Sequence, residues 1–86
     1  MQLTDLPNIG PTLANKLKNI GVNNSTDLET LGSENAIVKI ATLEDGGACI
    51  NMLYALEGAI QGIRWHKLDS KRKLELKDFY NQISRM

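Results

Sequence analysis

Nucleophilic and metal chemistry both need the right residue types gathered in one place, and His66 and Cys49 are the only histidine and the only cysteine of this chain. One of each makes no metal-ligand set of standard spacing, and neither stands in a Ser-His-Asp or Cys-His context. Phosphate-loop and dinucleotide fingerprints are absent as well. The sequence therefore predicts no catalytic residue, no metal and no cofactor, and the chemistry left to it is electrostatic. Arg64-Trp65-His66-Lys67, followed by Lys71-Arg72-Lys73, is the one basic cluster with an aromatic beside it. Three cations at the start of a helix oppose its macrodipole by about 0.3 kcal/mol or more each. That makes Arg64, Trp65, His66, Lys71 and Arg72 candidate partner-binding residues; the alternative is an ordinary solvated face, with Trp65 a core or cap residue rather than a platform for stacking bases.

Charge is balanced over the whole chain, with ten Lys/Arg against ten Asp/Glu. This excludes the strong global attraction to nucleic acid or anionic lipid that a basic domain has. The balance is uneven along the chain. Residues 1–63 carry three Lys/Arg and seven Asp/Glu, whereas residues 64–86 carry seven and three, so a polyanion is expected to meet the C-terminal end. A lone cysteine forms no intramolecular disulfide, and the Met-Gln-Leu-Thr-Asp start has neither the basic opening nor the apolar run of a signal peptide. A cytoplasmic protein with no membrane segment is the expectation.

The elements that must position these residues read as helices. Apolar residues recur at helical spacing and no alternating run of β-branched residues and aromatics occurs. Pro11 suits a first helical position, with Leu13, Leu17 and Ile20 on one face and Gly21 as the stop. Lys16 faces outward from that helix. Asn24 with Asp27 resembles a capping box opening a short helix through Leu31. Ser33 is the next candidate N-cap, for a helix carrying Ile37, Ile40 and Ala41 and ended by Asp45-Gly46-Gly47. From Ala48 to about Gly62, Cys49, Ile50, Met52, Leu53, Leu56, Ala59 and Ile60 nearly encircle the axis, which places this helix in the middle of the bundle. There Gly58 and its small neighbours allow close backbone approach. A last helix from Asp69 or Ser70 buries Leu76, Phe79, Tyr80 and Ile83. Cys49 is expected to be an inert packing residue. Asn51 and Glu57 are the polar residues of the central helix, read either as functional groups or as paired structural ones, with Glu57 facing Arg64 or another cation. An echo at an offset of 22 aligns Thr4-Asp5-Leu6, Ile9, Gly10 and Ala14 with Thr26-Asp27-Leu28, Leu31, Gly32 and Ala36. It suggests two related helical hairpins.

Leu6-Pro7-Asn8-Ile9-Gly10-Pro11-Thr12-Leu13-Ala14 resembles the hairpin of a helix-hairpin-helix motif, in which hairpin amides and a helix N-terminus hold a DNA phosphate. Asn8 stands where that pattern has its first glycine and Thr12 where it has a lysine. The nucleic-acid candidates are accordingly Asn8, Ile9, Gly10, Thr12 and Lys16, with Lys18 in support. Two to four neutralised phosphates would give a salt slope of only about −2 to −4.

The run from Ala48 to His66, Ala-Cys-Ile-Asn-Met-Leu-Tyr-Ala-Leu-Glu-Gly-Ala-Ile-Gln-Gly-Ile-Arg-Trp-His, is similar to a stretch of the TfoX/Sxy C-terminal domains. Leu6 to Pro11, Leu31-Gly32 and Lys73 to Tyr80 extend the resemblance over essentially the whole chain. It implies an all-α domain, a compact bundle of about five helices akin to helix-hairpin-helix and SAM-like folds, spanning residues 1–86. It also implies regulators of bacterial competence for DNA transformation, which usually carry an additional N-terminal domain. The expected function is a non-enzymatic regulatory adaptor binding a protein partner, for instance a transcription regulator. The alternative is weak, sequence-independent DNA contact through the hairpin loop.

Overall fold

The computed structural model describes residues 1–44 and 46–85. Five α-helices follow one another: α1 Pro11–Asn19, α2 Ser25–Leu31, α3 Ser33–Leu43, α4 Ile50–Gln61 and α5 Ser70–Ile83. Single 3₁₀ turns at Leu3–Asp5 and Trp65–Lys67 precede α1 and α5. Among the described residues there is no strand; the sole β-type pairing is an isolated bridge between Gln2 and Asn24. The chain is an all-α bundle, as the periodicity predicts.

Every helix sends at least one fully buried side chain into a common core: Leu17 from α1, Leu28 from α2, Ile37 and Ile40 from α3, Leu53 and Leu56 from α4, Leu76 from α5. The connections are pinned to the same core by Leu3, Ile9, Val22 and Leu68. The fourth helix is central, packing against α2, α3, α5 and the second 3₁₀ turn. Its buried residues Leu53, Ala55, Leu56, Gly58 and Ala59 span much of its circumference, which is why its sequence is apolar nearly all round.

Helix boundaries follow capping chemistry. Pro11 opens α1, and its end is a Schellman turn: Val22 N–H donates to Leu17 O at 2.9 Å and Gly21 N–H to Lys18 O at 3.0 Å, with Gly21 at φ 88°. That left-handed residue favours glycine. Asn24 caps α2 by accepting from Asp27 N–H at 2.9 Å, while Asp27 Oδ2 reaches back to Asn23 N–H at 3.0 Å. The 22-residue echo is visible in three dimensions. Gly10 precedes α1 and Gly32 precedes α3, and each accepts from the alanine four residues on, Ala14 at 3.0 Å and Ala36 at 3.1 Å. Both alanines are buried.

Four sequence expectations need correction. Cys49 is exposed rather than packed, because its extended backbone (φ −148°, ψ 165°) makes it the residue before α4, off the helical stripe. Ser33 is the first residue of α3, not its cap; Gly32 takes the cap position at φ 85° and frees the serine hydroxyl for another partner. Ala41 is exposed, the buried stripe of α3 being Ala36, Ile37 and Ile40. Asn51 is exposed too, leaving Glu57 as the polar group that α4 turns inward. Asp45, expected to help end α3, lies outside the described residues.

Candidate functional site

Glu57 sits on the central helix with its side chain only 12% exposed, and a carboxylate there must be partnered to remain charged. It accepts from Ser33 Oγ at 2.6 Å, from Gln61 Nε2 at 2.7 Å and from Arg72 Nη2 at 3.1 Å. Burial pushes its carboxyl up, but the bonds from Arg72, Ser33 and Gln61 together outweigh burial and hold it below the ordinary carboxylate range. Arg72 also reaches Glu34 at 3.3 Å and Glu75 at 3.2 Å. Its guanidinium is held charged chiefly by Glu57. This node joins α3, α4 and α5 on the side of α5 that also carries its apolar contacts, Leu76, Phe79, Tyr80 and Ile83. The partner of Glu57 is thus Arg72, not Arg64.

With Arg72 turned inward, its neighbours diverge. Lys73 swings to one side, its Nζ lying 5.4 Å from the centroid of the Trp65 ring. Lys71 is exposed on the other. Trp65 is half-buried, stacked on Tyr54 (centroids 5.8 Å apart, 13° between planes) and on His66 (4.0 Å, 28°). Arg64, His66 and Lys67 are exposed around it. Among the described residues no carboxylate lies within 4.0 Å of Arg64, Lys67, Lys71 or Lys73. The first turn of α5 carries no acidic residue, and Asp69 makes no side-chain cap bond there. Five of the sequence-derived partner candidates are therefore gathered around one end of the bundle, but in two roles. Arg64 and Lys71 are exposed at the surface, His66 is exposed but stacked on the half-buried Trp65, and Arg72 belongs to the internal node.

Asn8 holds the turn that presents this surface. Its backbone is left-handed, φ 71°, as its place in the hairpin pattern predicts. Its side chain does something the pattern does not announce. Nδ2 donates to Ile63 O at 2.9 Å and to Ala55 O at 3.4 Å, and Oδ1 accepts from Trp65 N–H at 3.2 Å. Gly58 makes room for this clasp: a Cβ there would lie 2.6 Å from Asn8 Nδ2, 2.8 Å from Ile63 O and 3.1 Å from Trp65 Cα. The hairpin loop and the basic turn, 55 residues apart in sequence, are fastened together.

The rest of the hairpin is arranged differently from the basic surface. Ile9 is buried in the core. Gly10 and Thr12 are exposed at the start of α1, and a Cβ at Gly10 would meet nothing within 4 Å. Lys16 is paired with Glu44, just past the end of α3, and Lys18 lies in the last turn of α1, away from the amides. No group of three or more His, Cys, Asp or Glu capable of holding a metal occurs among the described residues. No helix among them is long and apolar enough to cross a membrane.

Sequence reasoning missed Ser33 and Asn8 as partners of distant groups, and Leu74, which is 63% exposed on the outer face of α5 between Lys71 and Lys77. The signal that could have found Leu74 was present: it lies two residues, about 200°, from Leu76 on a helix whose inner stripe is Leu76, Phe79, Tyr80 and Ile83, which points it outward.

Comparison with known proteins bears on the whole chain. The family model of the TfoX C-terminal domain matches residues 1–80. A crystal structure of an uncharacterized protein from Listeria monocytogenes, in a triclinic form, superposes with a TM-score of 0.93 at 43% identity, covering 98% of this chain and 94% of that one. A tetragonal crystal form of a protein of unknown function from Listeria monocytogenes superposes with a TM-score of 0.88 at 45% identity, covering 93% and 98%. No curated protein matches the chain.

Proposed function

The chain belongs to the TfoX C-terminal domain family, and from that premise we propose that it is a non-catalytic regulatory domain of the bacterial cytoplasm, an adaptor that binds a protein partner through its C-terminal basic end. Competence regulation is the setting that the family suggests. One observation carries the reading: Arg64, Lys67, Lys71 and Lys73 have no carboxylate within 4.0 Å among the described residues, while Arg72 in their midst has three. Carboxylates of the fold satisfy the one arginine that the bundle needs and leave its neighbours for an external anion. Cations in the first turn of a helix oppose the macrodipole, so they do not serve the helix itself.

A protein partner suits this surface better than nucleic acid. The indole of Trp65 is already occupied by Tyr54, His66 and the ammonium of Lys73, which removes the stacking that single-stranded nucleic acid uses. The test is affinity capture from a bacterial lysate with the wild-type chain and with Arg64→Glu/Lys71→Glu. Loss of a specific partner with the charge-reversed chain is expected; identical captured sets refute the assignment of this face.

A second reading, weak DNA contact through the helix-hairpin-helix-like loop, is favoured by the open space at Gly10 and the first-turn amides of Thr12 and Leu13. It lacks a nearby free cation, since Lys16 is paired with Glu44. Titration with duplex DNA at low salt, following amide signals of residues 8–18, tests it: shifts confined to that loop support it and their absence removes it.

A further inference from the structure

Resting on the adaptor reading, we propose that the segment docked on this protein is an acidic amphipathic helix lying along the outer face of α5, with an apolar side chain of its own against Leu74. The α5 helix is 14 residues long and buries only Leu76 completely. Its inner stripe is Leu76 with Phe79, Tyr80 and Ile83 packed against the core, and Arg72 turns toward Glu57 on the same side. Leu74 is thereby turned outward, 63% exposed, one of three large hydrophobic side chains so placed among the described residues. Lys71 lies three residues before it and Lys77 three after, both exposed. Residues three apart on a helix share a face, so the surface is an apolar spot with a cation above and below it. Lys73 and the turn bearing Arg64 and Lys67 extend the positive charge toward the N-terminal end of α5, where the helix macrodipole adds to it. Asp78, four residues after Leu74 and exposed, shares that face beside Lys77, and Glu75 is exposed at its flank, so the positive strip ends at Lys77 and is strongest on the N-terminal side of Leu74.

This arrangement selects its occupant by complementarity. A helix carrying one apolar residue flanked at helical spacing by carboxylates would place that residue on Leu74 and its charges on Lys71 and Lys77. Duplex DNA would gain charge contacts from the strip but nothing from Leu74. A purely acidic, unstructured chain would leave Leu74 in water. The fold's own acidic half offers carboxylates as well, so a second copy of the chain is the internal competitor for the face.

The experiment uses fluorescent peptides of about 14 residues, the length of α5, followed by anisotropy. One is a Glu-rich helix with leucines on one face, the other a Glu-rich chain with no leucine; a short DNA duplex and anionic phosphatidylserine vesicles complete the set. The wild-type chain is expected to bind the amphipathic peptide about tenfold more tightly than the leucine-free one, with affinity falling as salt rises. Leu74→Ala is expected to erase that tenfold difference, and Lys71→Glu/Lys77→Glu to abolish binding of both peptides. Leu74 is exposed and alanine is a strong helix former, so an unchanged circular-dichroism spectrum and melting temperature certify the Leu74→Ala fold. Equal binding by wild type and Leu74→Ala, equal affinity for the two peptides, or preference for duplex or vesicle overturns the proposal. So does wild-type self-association that Leu74→Ala abolishes, which would assign the face to a second copy. If the peptides fail while Arg64→Glu/Lys71→Glu still loses its captured partner, this occupant falls and the adaptor reading stands; if the captured set is also unchanged, both fall.

Discussion

Replacing Gly58 with alanine sets two well-characterised effects against each other. In the middle of a helix alanine is favoured over glycine by about 0.8–1.0 kcal/mol, so propensity alone predicts a stabler protein. The structure predicts the reverse. The new methyl carbon would sit 2.6 Å from Asn8 Nδ2 and, more seriously, 2.8 Å from the backbone oxygen of Ile63 and 3.1 Å from Trp65 Cα. Overfilling a packed site costs about 1–3 kcal/mol. Displacing Asn8 forfeits its bonds to Ile63 O and from Trp65 N–H, at about 1 kcal/mol each. The balance is a loss of about 2–4 kcal/mol, a large part of the roughly 4–13 kcal/mol expected for a domain of this size. Urea unfolding followed by circular dichroism and by the fluorescence of Trp65, the chain's single tryptophan, reads the effect. The melting temperature should fall by about 10 °C or more. Asn8→Ala relieves only the side-chain part of the clash, because Ile63 O and Trp65 Cα remain, so the double variant should be less stable than Asn8→Ala alone. A Gly58→Ala protein as stable as wild type, or stabler, would show that the clasp between hairpin and basic turn does not exist as described.

Three further outcomes follow from named contacts. Glu57→Ala removes the acceptor of Ser33, Gln61 and Arg72; with the site partly open to water and Glu34 and Glu75 still beside Arg72, the expected loss is about 2–3 kcal/mol by chemical denaturation. Because Glu57 is held below the ordinary carboxylate range, the unfolded chain binds its proton more readily. Its contribution is whole above the unfolded value of about 4.3 and is lost as pH falls through the folded value. Melting temperatures of wild type and Glu57→Gln should accordingly differ at neutral pH and draw together as pH falls from the unfolded value of about 4.3 through the lower folded one. Asn24→Ala deletes the cap on Asp27 N–H and should lower stability by about 1 kcal/mol; a change under about 0.3 kcal/mol would mean that the α2 terminus is held by the Ser25–Met1 and Gln2–Asn24 backbone contacts instead.

Local signals were legible in the sequence because short-range physics produces them. Gly21, the Asn24–Asp27 cap, the stop at Gly32 and the all-round apolar character of α4 each depend on neighbours within a turn or two. Long-range pairing left no comparable trace. Lys71-Arg72-Lys73 reads as one basic cluster, yet successive helical residues point about 100° apart, so the bundle takes Arg72 inward to Glu57, leaves Lys71 exposed and lays Lys73 half-buried over Trp65. Asn8 announced its left-handed backbone through the hairpin pattern, whereas its bonds to Ile63 and Trp65 span more than fifty residues. Cys49 was misplaced for a boundary reason. The start of an apolar helix with no polar cap residue cannot be told from its interior by periodicity, and one residue of extended backbone was enough to put the thiol in solvent.

The central claim, that the basic end from Arg64 to Lys77 is a protein-docking surface organised by an inward-facing Arg72, is met most directly by an amide chemical-shift map of the 86-residue chain bound to its captured partner. The largest shifts should fall on residues 64–78, with residues 8–18 and the outer face of α3 little changed. Shifts centred on the hairpin loop, or on Val38, Ala41 and Phe79 between α3 and α5, would contradict it.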